Sequence, residues 1–230
     1  MNNWQTKKLG EVADILMGQS PPSETYNING EGLPFFQGKA DFNDIYPTVS
    51  KYCSRPVRIA QKDDVLLSVR APVGPVNLAP SEICIGRGLS AIRGKENSLN
   101  QMYLFYYMKL NELALGKKGT GSTFTSINRR DIEKIELPLP PFSIQQQIVE
   151  RLDAIRKLQE LNNKEIEKAE ELFLSLVAKW FKQGSDWKVK KLEEVIVSMQ
   201  NGYASRPVTK ENGMAQIRPH NITREGQLSL

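Results

Sequence analysis

Acid–base and nucleophilic chemistry need side chains that this chain holds in short supply. Its one histidine is His220, so a Ser/His/Asp or Cys/His machine has no other imidazole to use, and a zinc centre has no histidine cluster. Cys53 and Cys84 lack any CxxC spacing and read as two reduced thiols. No GxGxxG opens a helix after a strand, and GKKGTGST, residues 116–123, has Ser122 where a P-loop has its lysine. An adenine methyltransferase needs Asn or Asp before its PPF. Here that place is Leu139-Pro140, which cannot hydrogen-bond a base's amino group. Asp63, Asp64 and Glu82 suggest a metal nuclease, but no lysine follows Glu82 at the usual short spacing. The expectation is a chain with no catalytic residue, no metal and no cofactor.

Binding chemistry is better supplied. Lys117, Lys118, Thr120, Ser122 and Thr123 lie among glycines, and ammonium, hydroxyl and bare amide donors suit phosphate oxygens. A solvated loop closing the preceding helix is the plainer use of the same residues. Arg129 and Arg130 follow, and one of them is expected to pair with Asp131 or Glu133. Arg70 within SVRAP, and Arg87 between two glycines, are planar fork donors suited to guanine edges, though each can equally anchor a carboxylate. Gln37 and Lys39 follow an apolar run on an expected exposed turn, where glutamine can match adenine. The DNA-contacting candidates are therefore Gln37, Lys39, Arg70, Arg87, Lys117, Lys118, Thr120, Ser122, Thr123 and Arg129. Tyr103, Phe105, Tyr106 and Tyr107 sit at helical spacing and read as core and cap residues, not as a platform for stacked bases.

The elements that must carry these residues form a mixed α+β module over residues 1–142. Between Leu33 and Arg93, short apolar runs such as VLLSV, PVNLA and ICIG alternate with Gly and Pro, which predicts short strands. The stretch Ser98–Gly116 is too long and too apolar for a strand and predicts one buried helix. SINRRDIEKIELPL then predicts a helical turn leading into a strand. PLPPF enforces an extended entry, and Ser143 with Gln146 has the pattern of a capping box. No Gly or Pro follows until Gly184, so a single helix of about 38 residues is predicted within 143–184, spanning about 57 Å at 1.5 Å per residue.

That helix carries a heptad seam of Leu152, Ile155, Gln159, Asn162, Ile166, Ala169, Phe173, Leu176 and Trp180. Its other faces are charged and balanced, so the seam predicts a second helix against it; the alternative is a core helix of a larger domain. Gln159 and Asn162 would fix register at some cost in stability. No run approaches the roughly 18 apolar residues of a membrane span, and MNNWQTKKLG lacks a signal's apolar core. Composition, 40% hydrophobic and 25% charged, is that of an ordinary globular protein, and the expectation is a cytoplasmic one without a membrane partner.

Charge and repetition point the same way. Residues 1–144 hold 17 Lys+Arg against 14 Asp+Glu, residues 145–184 hold 7 against 7, and residues 185–230 hold 7 against 5, so the excess flanks a neutral spacer. WQTKKLGEV at Trp4 returns as WKVKKLEEV at Trp187, with Trp, Lys, Lys, Leu, Glu and Val identical, which marks a tandem repeat whose second unit opens at residue 185. Together with DDVLLSVRAPVG, GRGLSAIRGK and GSTFTSINRRDIEKIELPLPPFSIQQQIVERLDAI, these words make the chain resemble the DNA-specificity subunits of Type I restriction-modification systems. The resemblance implies a target-recognition domain at 1–142, a conserved spacer helix at 143–184, and the incomplete start of a second recognition domain at 185–230. It also implies double-stranded DNA as ligand, methyltransferase subunits as partners, and through them the restriction subunit. The unpaired seam predicts a homodimer through the long helix. The rival expectation is a coiled-coil assembly or adaptor protein that binds protein only.

Overall fold

A computed structural model describes residues 4–117, 126–182, 188 and 190–198, with the Lys117 side chain excepted. In chain order the elements are β1 (Gln5–Lys8), α1 (Leu9–Val12), β2 (Ala13–Met17), β3 (Tyr26–Asn27), β4 (Leu33–Phe36), β5 (Tyr52–Cys53), β6 (Ile59–Ala60), β7 (Val65–Ser68), β8 (Val76–Leu78), β9 (Ile83–Ile85) and β10 (Leu89–Gly94). There follow α2 (Gln101–Leu110), α3 (Glu112–Lys117), α4 (Arg129–Glu133), β11 (Glu136–Leu139) and α5 (Phe142–Lys182). The chain divides into two units, Met1–Glu170 and Glu171–Leu230.

The first unit is mixed α and β, as its sequence predicts. Continuous apolar runs mark strands covered on both faces, and β7, β8 and β9 are buried throughout. β2, β10, β7 and β8 form one sheet, while β3, β5, β4, β9 and β6 form another. Because side chains alternate along a strand, Val65 and Leu67 enter one core with Leu104 and Met108 of α2, while Leu66 enters a second with Phe36, Ile83 and Ile85. The four-stranded sheet thus lies between a helical layer and the five-stranded sheet. Filling it needs no charged group, and Asp64, 3% exposed, is held by a bidentate pair with Arg93 at 2.7 and 2.8 Å.

The expected Ser98–Gly116 helix is instead two helices that break at Asn111. Its side chain donates to the Tyr107 carbonyl at 2.7 Å, taking the acceptor that the next helical amide would use. Asn100 caps α2 by accepting from the amides of Met102 and Tyr103. The aromatic cluster is core and clasp: Tyr103 and Phe105 are buried, the Tyr103 and Tyr107 hydroxyls donate to the carbonyls of Pro138 and Glu136, and the Tyr106 hydroxyl donates to Asp153. β11, which receives two of these bonds, pairs antiparallel with β1, the first copy of the repeated word. Leu9 and Val12 of that copy are buried.

α5 also starts differently from the expected capping box. The Pro141 carbonyl accepts from Ile144 and Gln145, which leaves Ser143 inside the first turn rather than at its cap. The anchor is Gln145, fully buried, which accepts from the Asn100 amide at 2.7 Å and donates to the carbonyls of Ser98 and Pro140. Beyond Val149 and Leu152 the cover ends, and every residue from Lys157 to Lys182 is exposed. The seam residues Ile155, Ile166, Phe173, Leu176 and Trp180 are therefore bare, Trp180 to 70%.

In the second unit, Leu192–Glu194 forms a single 3-10 turn. Leu192 and Val195, the repeat partners of Leu9 and Val12, are exposed. Residues 185–187, 189 and 199–230 of the second copy's expected domain lie outside the described residues.

Candidate nucleic-acid interface

Four of the ten candidates come from three loops distant in sequence and meet in one cleft. Gln37 and Lys39 follow β4, Arg70 follows β7, and Arg87 joins β9 to β10. The sheet order explains the meeting: β4 lies beside β9, and β10 beside β7, and the β9–β10 loop joins the two pairs, so these strand ends converge. A concavity of about 290 Å³ is lined by Gln37, Lys39, Arg70 and Arg87 with Ser20 and Ser68. A larger one, about 550 Å³, shares the Gln37–Lys39 turn and Ala71 with it and adds Asp41, Ser50 and Lys51. The four candidate side chains are exposed.

Close backbone contacts hold these loops together. A Cβ on Gly88 would lie 2.1 Å from the Gln37 carbonyl, and one on Gly86 would lie 3.3 Å from the Gln37 Cα. Gly88 is thus required by the approach of the Arg87 loop to the Gln37 turn, and Gly86 leaves only tight room for a side chain there. Gly18 meets the same loop, with 2.1 Å from a built Cβ to the Gly86 carbonyl. The Gly88 carbonyl accepts from Val69 at 2.9 Å, which ties the Arg87 loop to the strand end bearing Arg70. Ser20 Oγ accepts from the Arg87 amide, and the Asp41 carboxylate accepts from the Gln37 amide at 2.9 Å, closing that turn. Arg70 is pinned by a bridge to Ser126.

Electrostatics separate the basic residues into two groups. Arg93 is bound to Asp64, whose hydrogen bonds hold its guanidinium above the usual range against the opposing effect of burial. Arg129 lies in α4 and pairs with Glu133 at 2.8 Å, and Arg156 pairs with Asp153 and Glu160. Among the described residues no ion pair engages Lys39, Arg70 or Arg87, so their charge is directed at solvent or at a ligand. Tyr26, near Arg87, has its phenol pushed up by burial first, with the Arg87 charge acting in the opposite direction. It stays a donor, and its hydroxyl bonds the Pro21 carbonyl.

The other candidates are placed differently. Arg129 lines neither concavity and is paired with Glu133. The Lys117 side chain and Lys118, Thr120, Ser122 and Thr123 lie outside the described residues. Of the residues flanking that segment, Ser126 lies opposite the cleft residue Arg70, while Gly116 lies against Val73. Ser20 also lines the cleft, and Ser50 and Lys51 the larger concavity beside it, but they stand out in no spacing; for Ser20 the only cue is its place two residues after Gly18. Among the described residues no group of His, Cys, Asp and Glu could hold a metal ion, and none of the described helices is long and apolar enough to cross a membrane.

Comparison with known proteins agrees with a DNA-facing domain. Residues 1–171 match the family described as Type I restriction modification DNA specificity domain. The chain belongs to that family. It is 43% identical over 180 residues to the putative type I restriction enzyme MjaX specificity subunit of Methanocaldococcus jannaschii, covering 76% of this chain and 42% of the relative. Among solved structures, it superposes on a chain from a study of complex assembly and conformational transition of the type I R-M system. That match has a TM-score of 0.67 and 47% identity, over 75% of this chain and 43% of the other. The HsdS subunit from Thermoanaerobacter tengcongensis is similar at a TM-score of 0.61 and 48% identity, over 69% of this chain and 38% of that one. The chain thus spans less than half the length of these three proteins.

Proposed function

We propose that this chain acts as a non-catalytic specificity subunit of a Type I restriction-modification complex and reads one half of a bipartite duplex target. In this reading residues 1–142 are the target-recognition domain, 143–184 the spacer helix, and 185–230 the start of a second recognition domain. The observation that carries it is the convergence of Gln37, Lys39, Arg70 and Arg87 on one cleft with no described carboxylate paired to its cations. Family membership supports sequence recognition as the purpose of such a cleft. Lys39 and Arg70 contribute point charge and fork contacts to phosphates, as do the lysines and hydroxyls of residues 117–123. The methyltransferase subunits, and through them the restriction subunit, assemble on this scaffold in the cytoplasm.

The bare seam on α5 favours a second helix, and we assign it to a second copy of the chain, packed antiparallel. Two copies present identical readers in opposite sense, which favours a palindromic split site. A protein-only adaptor would also explain the seam, but not the cluster of unpaired cations. Methylome sequencing of cells that carry the complete system tests the reading. One split motif is expected, with a fixed gap between its halves; a single uninterrupted motif, or none that depends on this chain, would overturn it.

A further inference from the structure

We infer that Gln37 and Arg87 form one two-residue reader for neighbouring purines, adenine by Gln37 and guanine by Arg87, with Gly86 and Gly88 as the residues that set its spacing. The inference rests on the reading above and adds to it the identity of the base contacts within the cleft.

Three observations separate these two residues from the other donors. The first is chemical. Glutamine presents one donor and one acceptor side by side, which matches the N6 and N7 edge of adenine, and an arginine fork matches O6 and N7 of guanine. A lysine can also reach O6 and N7 of guanine, but as a flexible point charge without the planar fork, so Lys39 is assigned to phosphate and the guanine to Arg87. The second is rigidity. β4 and β9 run parallel in register, Phe35 beside Cys84 and Phe36 beside Ile85, and the Gly86 amide donates to the Phe36 carbonyl at 2.8 Å. The next residues along the two strands are therefore Gln37 and Gly86, then Gly38 and Arg87. A Cβ built on Gly88 would lie 2.1 Å from the Gln37 carbonyl, so the two loops pack backbone to backbone, which suits the fixed spacing that base discrimination requires.

The third observation is one of scale. Adjacent strands lie about 4.8 Å apart, and stacked base pairs rise about 3.4 Å. Side chains leaving neighbouring strand ends thus reach bases that are adjacent or one step apart. Arg70 has the same fork as Arg87, but it sits opposite Ser126, at the end of the glycine-rich basic segment. That surrounding assigns it to the backbone.

The test is selection of the full chain on a random duplex library at low salt, followed by sequencing. We expect the selected half-site to contain an adenine and a guanine within two base pairs. Arg87→Ala should remove the guanine preference alone, and Gln37→Ala the adenine preference alone, each lowering affinity for the best site roughly tenfold to a hundredfold. Gly88→Ala, whose Cβ meets the Gln37 carbonyl, should weaken both preferences together. Lys134→Ala, exposed and outside the lining of the cleft, should change neither.

Uniform weakening of every sequence by Arg87→Ala or Gln37→Ala, or two preferred bases far apart, would overturn the inference while leaving the DNA-binding reading intact. No DNA retained by the unaltered chain would instead overturn that reading. Arg87 and Gln37 are exposed, so their variants decide the matter even if Gly88→Ala fails to fold.

Discussion

Replacing Gln145 with alanine should loosen the root of α5, and the cost can be worked from its contacts. The side chain is fully buried and makes three hydrogen bonds, one accepted from the Asn100 amide and two donated to the carbonyls of Ser98 and Pro140. Each is worth about 1 kcal/mol net, and the orphaned amide and carbonyls have no solvent to turn to. A total of about 2–4 kcal/mol follows. For a chain of this size 1 kcal/mol moves Tm by about 2–4 °C, so the expected drop is about 5–15 °C. Gln145→Glu should be at least as costly at neutral pH, because a carboxylate cannot donate to two carbonyls. Gln146→Ala changes an exposed residue and should cost almost nothing. Urea and thermal unfolding followed by circular dichroism on the full chain read all three. A loss under about 0.5 kcal/mol for Gln145→Ala, or an equal loss for Gln146→Ala, would refute the assignment of Gln145 as the anchor.

Asp64→Ala removes the carboxylate that binds Arg93 and accepts from the Gln61 amide; with Arg93 half exposed, urea unfolding should show a loss of about 1–3 kcal/mol. Burial pushes the Cys84 thiol from its usual 9 up to about 11, so the folded chain keeps a proton that the unfolded chain releases. That contribution is present below the ordinary thiol value and is lost as pH rises towards about 11, so Cys84→Val should flatten the alkaline decline in stability relative to the unaltered chain. Ile166→Glu, in the middle of the bare seam, should convert the proposed dimer to monomer in light scattering at micromolar concentration. A monomer before substitution would exclude the second copy.

Much of this architecture was legible in the sequence because it rests on local rules. Apolar runs gave away the strands, SINRRDIEKIELPL the turn of α4 before β11, and the heptad pattern announced a helix with an uncovered face. The errors came from side chains that act on the backbone. Asn111 looks like a tolerable helix residue until its amide is seen bonding the Tyr107 carbonyl. Gln145 is missed for the same reason: one polar residue among three glutamines carries no periodic signal, and only the packing of α2 against the start of α5 buries it. For the site, Arg87 between glycines was a usable cue, since the glycines mark a close approach. That Gln37 would be the neighbour approached was not legible, because β4 and β9 pair across nearly fifty residues of intervening chain.

The central claim is that the cleft bearing Lys39 and Arg70 faces duplex DNA, and the salt dependence of binding tests it most directly. The full chain should bind random-sequence duplex with an affinity that falls linearly with log salt. Lys39→Ala and Arg70→Ala should each reduce that slope by about one. Binding that is absent at low salt, or a slope that neither substitution changes, would contradict the account.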